Sequence, residues 1–167
     1  MGESVSYSET ERPVVLLIDT HPDVLERLAQ LLCLEPFELC SATTANEALA
    51  ILAGRCVDLV MSAARLPDMD GATLLAQIHR DYPHTVRLLL TGETDLTLIV
   101  KAINEGQIYR YLSKPWKDDE LLLALRQSLA HQHSERERLR LEQLTRQQNE
   151  ELKQLNASLE KRVVSRT

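Results

Sequence analysis

The chain has 167 residues, 44% of them apolar, which suits one globular domain of ordinary size with an appendage and leaves no room for a second large core. Residues 1–133 carry eleven Lys and Arg against nineteen Asp and Glu, whereas residues 134–167 carry eight against six, so nucleic acid is not an expected partner. No apolar run reaches the ~18 residues of a membrane span and residues 1–12 are polar, so we expect a cytoplasmic protein without membrane contact.

Short apolar runs alternate with segments of helical periodicity along the first two thirds of the chain. Strands are predicted over residues 14–18, 37–41, 57–62, 86–90 and 109–112. Helices are predicted over residues 22–34, from Thr44 to residue 52, and over residues 70–81 and 96–104. Thr44 with Glu47 forms a possible capping box, Asp95 is a candidate N-cap, and Gly106 is expected to close its helix.

This alternation, with short connections, predicts a doubly wound parallel sheet with helices on both faces. Functional groups in such sheets gather at the carboxyl ends of the strands. Asp19, Ala63, Thr91 and Lys114 follow or end four different strands, so we expect them to converge although they are far apart in sequence.

Several motifs occur in order along the same residues: Ile18-Asp19, Leu66-Pro67-x-Met69-Asp70-Gly71, Leu90-Thr91-Gly92, Tyr111 and Lys114-Pro115-Trp116. In this combination and spacing the chain resembles the receiver domain of two-component response regulators. The resemblance implies a flavodoxin-like fold with a five-stranded sheet over residues 13–130. Residues 1–12 are then expected to be disordered, and residues 131–167 to be a helical coiled-coil extension of the last receiver helix.

The resemblance also implies a phosphorylation site, but half of its parts are missing. Ala63 stands where the family has its phosphoacceptor aspartate, and Thr20 stands where the second metal-binding acid belongs. Asp19, Thr91 and Lys114 keep their family positions. We therefore predict a pseudo-receiver that is not phosphorylated, binds Mg²⁺ weakly or not at all, and has no enzyme activity in this segment.

The remaining pocket residues allow two interpretations. Thr91 and Tyr111 could be a retained switch that moves when the site is filled, as in the family. Alternatively Lys114 pairs with Asp19 and Tyr111 is a half-buried strand aromatic, which is the favoured reading. Lys114-Pro115 is expected to be a cis peptide by resemblance, and Ser62 is expected to point away from the side that Ala63 faces. Asp68 and Asp70 are interpreted as helix-start acids.

No Pro or Gly occurs between residues 118 and 166, so one long helix is predicted. From residue 141 its apolar positions recur in steps of 3, 4, 4, 3, 4 and 4, with Gln148 filling one place in a stripe of Leu141, Leu144, Leu152, Leu155, Leu159 and Val163. This eleven-residue period indicates a nearly straight or slightly right-handed coiled coil rather than a left-handed heptad supercoil. We predict a parallel homodimer through this helix, the alternative being a solvated lone helix.

The last residues resemble signalling helices that connect sensory modules to output domains, and similar arrangements precede HD-GYP and related cyclic di-GMP enzymes. Two hypotheses follow: a non-enzymatic pseudo-receiver that couples to a protein partner or a linked output domain, and the regulatory segment of a cyclic di-GMP phosphodiesterase or cyclase. An engineered Asp-to-Ala replacement at residue 63 is a third, which sequencing the native gene at that codon decides.

The cysteines lack metal spacing and are expected to be buried, reduced thiols.

Overall fold

The computed structural model of this protein describes residues 12–92 and 96–165, with side chains as far as residue 159. The residues expected to be disordered fall almost entirely outside the described ranges. The candidate N-cap Asp95 and the side chain of Val163 also lie outside them.

Within the described ranges, five parallel strands form one sheet in the order β2-β1-β3-β4-β5. Their bounds are β1 Val14–Ile18, β2 Glu38–Ala42, β3 Leu59–Ala63, β4 Val86–Thr91 and β5 Arg110–Ser113. β1, β3 and β4 are buried along their whole length because helices cover both faces of the sheet. The predicted flavodoxin-like, doubly wound five-stranded fold is confirmed.

The described part of the chain has five helices, which connect and follow the strands: α1 Pro22–Leu32, α2 Ala45–Gly54, α3 Gly71–Asp81, α4 Leu96–Asn104 and α5 Asp118–Ser165. Alternate residues of β1 serve opposite faces of the sheet. Leu16 packs in a cluster with residues of α2, α3 and α4, whereas Leu17 packs in a second cluster with residues of α1 and α5. The long helix predicted after residue 118 is present.

The predicted boundaries of β1 and α4 coincide with the observed ones, and those of the other strands and of α1 to α3 differ by at most two residues. At two strands the difference matters, because the ladder includes one more residue at the carboxyl end than the apolar runs indicated. Ala63 pairs with Leu90 and Thr91 pairs with Ser113, so both residues belong to the sheet itself. Their positions are thereby fixed by backbone hydrogen bonds rather than by a loop.

The capping box at α2 is partly as predicted. The Thr44 hydroxyl accepts a hydrogen bond from the Glu47 N–H at 3.1 Å. The Glu47 carboxylate accepts hydrogen bonds from the N–H and the hydroxyl of Thr43, at 3.3 and 3.2 Å. In a standard capping box it would accept from the N–H of the N-cap residue, which here is Thr44.

The turn between α4 and β5 corrects the role predicted for Gly106. The left-handed backbone conformation falls on Gln107, with φ of 45°, and not on the glycine. Gly106 is needed for space, since a Cβ there would lie 2.9 Å from the Ala102 carbonyl oxygen. The buried Arg87 of β4 braces this turn by donating to the carbonyls of Gly106 and Gln107 at 2.7 and 3.2 Å, and its burial lowers its pKa.

The chain divides into two compact units, residues 1–132 and 133–167. In the second unit, the described leucines of the stripe expose between 46% and 63% of their surface. No helix within the described ranges is long and apolar enough to cross a membrane.

The expectation of buried cysteines is wrong. Cys33 and Cys56 are exposed and Cys40 is partly buried, although all three are free thiols. Cys33 follows the last residue of α1 and Cys56 lies in the turn before β3, where apolar neighbours in sequence do not cover them.

Candidate functional site

A cavity of about 130 Å³ opens at the carboxyl edge of the sheet, where β1, β3, β4 and β5 end. Its lining brings together all five residues predicted for the pocket. The described residues that line it are Asp19, Thr20, His21, Ala63, Ala64, Arg65, Leu90, Thr91, Gly92 and Lys114. The convergence follows from the topology, because parallel strands deliver their last residues to one edge.

The Asp19 carboxylate is the centre of the pocket and is already satisfied from within the chain. Its Oδ2 accepts a hydrogen bond from Lys114 Nζ at 2.7 Å, and its Oδ1 accepts one from the His21 N–H at 2.9 Å. The Asp19 side chain is 3% exposed and that of Lys114 is 27% exposed. The ion pair that was one of two readings of the sequence is thus formed.

Lys114 is held in place by the backbone of β4. Its N–H donates to the Thr91 carbonyl at 2.8 Å, which continues the β4–β5 ladder by one residue. The Lys114–Pro115 peptide bond is cis, as predicted. The lysine therefore reaches across the strand ends to β1 from a fixed starting point.

The Arg65 carbonyl oxygen, a second acceptor in the pocket, is also hydrogen-bonded to a group of this chain. The Thr20 hydroxyl donates to the Arg65 carbonyl at 3.3 Å. The methyl group of Ala63, which is buried at the end of β3, lines the same cavity. A methyl group has no lone pair, so β3 presents neither a nucleophile nor a metal ligand to the cavity at this position.

Ser62, the neighbouring hydroxyl, does not line the cavity. Its side chain is fully buried and donates to the Ala63 carbonyl at 2.9 Å. This agrees with the alternation of side chains along β3.

The loop after β3 passes very close to the strand it leaves. The Gly71 N–H donates to the Ala64 carbonyl at 2.7 Å, and a Cβ on Gly71 would lie 1.9 Å from the Ala63 carbonyl oxygen. Only a residue without a side chain fits this approach. Gly71 therefore fixes the path of the loop that forms one wall of the cavity.

Asp70, just before this glycine, caps α3. It accepts a hydrogen bond from the Thr73 N–H at 2.7 Å and forms an ion pair with Lys101 of α4 at 3.3 Å. Burial alone would raise the pKa of Asp70, but the bonds from Thr73 and the charge of Lys101 outweigh it and hold this pKa below its ordinary value. The prediction of a helix-start acid holds at Asp70.

Asp68 also serves a helix start, but not that of α3. Its carboxylate accepts hydrogen bonds from the N–H groups of Ala45 and Asn46, both at 2.9 Å, at the first turn of α2. These bonds lower the pKa of Asp68. Sequence reasoning missed this contact because the two partners are 22 and 23 residues away and meet only through the fold.

The two residues of the possible switch lie near each other but not in one site. Thr91 is buried and lines the cavity, and its hydroxyl donates to the Gly92 carbonyl at 3.3 Å. Tyr111 pairs with Leu89 in the ladder, is 49% exposed and is not part of the cavity lining.

Within the described ranges, no group of three or more His, Cys, Asp or Glu side chains could hold a metal ion. Among the described residues that line the cavity, Asp19 is the one that carries a carboxylate, and both of its oxygens already accept hydrogen bonds. Mg²⁺ prefers several anionic or carbonyl oxygens in near-octahedral geometry. The donor set of this pocket does not fit that requirement.

Comparison with known proteins gives a consistent result. The model of the response regulator receiver domain matches residues 15–126. Among solved structures, the signal receiver domain of an HD domain-containing protein from Pseudomonas fluorescens Pf-5 is 62% identical, with a TM-score of 0.76, and the match covers 81% of this chain and 99% of that one.

Curated relatives are similar at lower identity. The hydrogenase transcriptional regulatory protein HoxA of Cupriavidus necator is 30% identical over 122 residues, and the C4-dicarboxylate transport transcriptional regulatory protein DctD of Rhizobium meliloti is 35% identical over 116 residues. These matches cover 73% and 70% of this chain, and the chain spans about a quarter of the length of either relative.

Proposed function

The chain belongs to the response regulator receiver family and acts in signal transduction, and from that premise we propose that it is a receiver that cannot be phosphorylated. The observation that carries the proposal is the methyl group of Ala63 at the end of β3. Phosphorylation of a receiver requires a carboxylate oxygen at that position to attack phosphorus while the leaving group departs. Alanine supplies no such oxygen, and the neighbouring Ser62 hydroxyl is buried and directed to a backbone carbonyl.

The second support for this proposal is the use of the pocket's other groups. Metal-assisted phosphoryl transfer needs ligands that neutralise the phosphoryl oxygens. The two Asp19 oxygens and the Arg65 carbonyl are the candidates, and each accepts a hydrogen bond from this chain. A cation would have to displace Lys114 and the Thr20 hydroxyl, so we expect Mg²⁺ to bind weakly or not at all.

In this proposal the protein regulates by binding rather than by catalysis. The described segment has no enzyme activity, the long helix pairs with a second copy, and the dimer couples to an output domain or to a protein partner in the cytoplasm. The exposed leucines of residues 141–159 support the pairing, because a stripe of this kind on an otherwise polar helix is stabilised when a partner covers it.

The test of this proposal is phosphorylation by a small donor. The full chain is incubated with acetyl phosphate and Mg²⁺ and analysed by intact-mass spectrometry, and we expect no gain in mass. A stoichiometric gain of one phosphoryl group would overturn the proposal.

The matched controls are variants of the two missing acids. Thr20→Asp with Ala63→Asp restores the family's carboxylates and is expected to gain the phosphoryl group under the same conditions. Ala63→Asp alone is expected to gain little, because Thr20 still leaves the metal short of a ligand.

A second candidate function is the regulatory segment of a cyclic di-GMP phosphodiesterase or cyclase. It is favoured by the 62% identity to the receiver domain of an HD domain-containing protein. Sequencing the native gene beyond codon 167 tests it, since this candidate requires a catalytic domain in the same product. A gene product that has no catalytic domain and does not turn over cyclic di-GMP would exclude this second candidate.

A further inference from the structure

The apolar stripe of α5 is interrupted once, at a position where a helix pair would place a core residue. Leu144 and Leu152 are separated by two steps of four residues, and Gln148 stands between them, exposed like its neighbours. An amide inside a core costs free energy unless it finds a hydrogen-bond partner. Its position in the stripe therefore distinguishes between ways of pairing two helices.

We propose that Gln148 hydrogen-bonds to Gln148 of the partner subunit in a parallel, in-register dimer, and that this pair selects the alignment of the two helices. The inference rests on the proposed homodimer. An amide side chain carries both a donor and an acceptor, so two copies facing each other satisfy one another. A single polar core residue has this effect on register in other two-stranded coiled coils.

The leucines alone do not select the orientation. Steps of 3, 4, 4, 3, 4 and 4 contain the same succession when read backwards, so the stripe can also be superimposed on an antiparallel copy. In that antiparallel alignment Leu152 stands opposite Leu155, and Gln148 stands opposite Leu159. The amide would then face a leucine and lose its hydrogen-bond partners, which disfavours this alternative.

A second antiparallel alignment, in which Gln148 faces Gln148 and Leu144 faces Leu152, keeps the amide pair but places Leu159 opposite Glu137. The parallel, in-register pair instead places Leu159 opposite Leu159, which favours the parallel orientation.

The residues beside the stripe support pairing with an identical face. At 100° per residue, the positions flanking the stripe between Leu144 and Leu159 are mostly uncharged: Thr145, Gln147, Asn149, Glu151, Asn156 and Ser158. In-register pairing brings identical residues close together, and like charges there would repel. Glu151 is the single charged member of this set, whereas Arg146 and Glu150 lie on the opposite face.

Disulfide crosslinking tests this alignment in the full chain. Cys33, Cys40 and Cys56 are replaced by Ser, and a single cysteine is introduced as Leu144→Cys or Leu159→Cys. Under mild oxidation, parallel in-register helices are expected to crosslink in both variants, with more than half of the chain recovered as covalent dimer. Ala157→Cys, on the opposite face, serves as the control and is expected to crosslink only at background level.

The outcomes separate the register from the dimer itself. If sedimentation shows a dimer but neither Leu144→Cys nor Leu159→Cys crosslinks above background, the register is wrong and the homodimer stands. If the chain sediments as a monomer, both the homodimer and this inference fail.

A second variant tests the role of Gln148 directly. Gln148→Leu is expected to lower the dissociation constant of the dimer at least tenfold, and also to reduce the crosslinking yield at residue 144 because antiparallel pairs become accessible. Gln154→Leu, outside the stripe, is expected to change neither quantity. An unchanged crosslinking yield in Gln148→Leu would overturn the assignment of Gln148 as the residue that fixes the register.

Discussion

The pocket and the helical stripe of residues 141–159 differ in whether their side chains have partners within the same chain. In the pocket, Asp19 and Lys114 form an ion pair, and the Thr20 hydroxyl donates a hydrogen bond to the Arg65 carbonyl. Along the stripe, apolar side chains stay exposed. Polar groups near one another in the fold can satisfy each other locally, whereas an apolar stripe on one helix needs a second surface. This contrast is the basis of our proposal that the protein works through its helix and not through its pocket.

The largest expected effect breaks the helical side of this contrast. Leu152→Glu with Leu155→Glu places charges in the stripe, where each buried leucine contributes roughly 1.5 to 3 kcal/mol. We expect the dimer to dissociate at micromolar concentration while circular dichroism shows that the receiver stays folded. Analytical ultracentrifugation measures the change.

The matched control for that variant is Gln154→Glu with Ala157→Glu, which adds the same charges in the same turn but outside the stripe. It is expected to remain dimeric. A dimer that persists in the Leu152/Leu155 variant, or in a truncation after residue 133, would place the interface on the receiver instead.

Gly71→Ala tests how tightly the pocket wall is built. The added Cβ would meet the Ala63 carbonyl oxygen at 1.9 Å, so the backbone must shift. Such overpacking costs about 1–3 kcal/mol in the free energy of unfolding, measured by urea denaturation. Gly54→Ala, which has no atom within 4 Å of the new Cβ, is the control and should cause no loss. Equal stability of Gly71→Ala and the unmodified chain would show that the wall is loose.

Removing the lysine of the central ion pair sharpens the pocket side of the contrast. Lys114→Met leaves the buried Asp19 carboxylate without its ammonium partner, and hydrogen bonds to charged groups are worth about 1.5–3 kcal/mol. Adding Asp19→Asn should recover part of the loss, which a double-mutant cycle in urea quantifies. Purely additive effects would mean that the two groups are not coupled. Arg55→Met, in an exposed pair with Glu38, is the control and should change little.

The smallest expected effect concerns Asp70 and depends on pH. Its pKa is lowered in the folded protein, so its contribution is complete above the ordinary value of 3.8 and is lost as pH falls through the lower folded pKa. Asp70→Asn keeps a capping side chain but loses the charge facing Lys101. We expect it to cost less than about 1 kcal/mol at pH 7, and the difference from the unmodified chain to vanish once the pH lies below the folded pKa of Asp70. A difference independent of pH would assign the effect to the cap alone.

Much of this architecture could be predicted from the sequence, because apolar runs and helix-stop residues are local signals. The convergence at the pocket followed from the alternation of strands and helices, since topology alone brings strand ends together. The bonds from α2 to Asp68 and the bracing of a turn by Arg87 could not be foreseen. Both depend on partners that are distant in sequence, and a polar residue gives no signal of which distant backbone group it will meet.

The exposed cysteines also show that contacts between distant parts of the chain cannot be predicted from local sequence. Apolar neighbours suggested burial, but burial depends on which residues the fold places above a turn. Cys33 and Cys56 follow a helix end and precede a strand, where nothing covers them.

The proposal that this receiver works without phosphorylation is tested most directly by an NMR titration of the ¹⁵N-labelled full chain. Mg²⁺ is added first, and then beryllofluoride, which mimics a bound phosphoryl group. If the pocket groups are satisfied internally and Ala63 offers no oxygen, the amide signals of Thr91, Gly92 and Lys114 stay unchanged beyond the effect of ionic strength. The variant with Thr20→Asp and Ala63→Asp, in contrast, should show saturable shifts at these residues. Saturable shifts in the unmodified chain would contradict the proposal that this receiver works without phosphorylation.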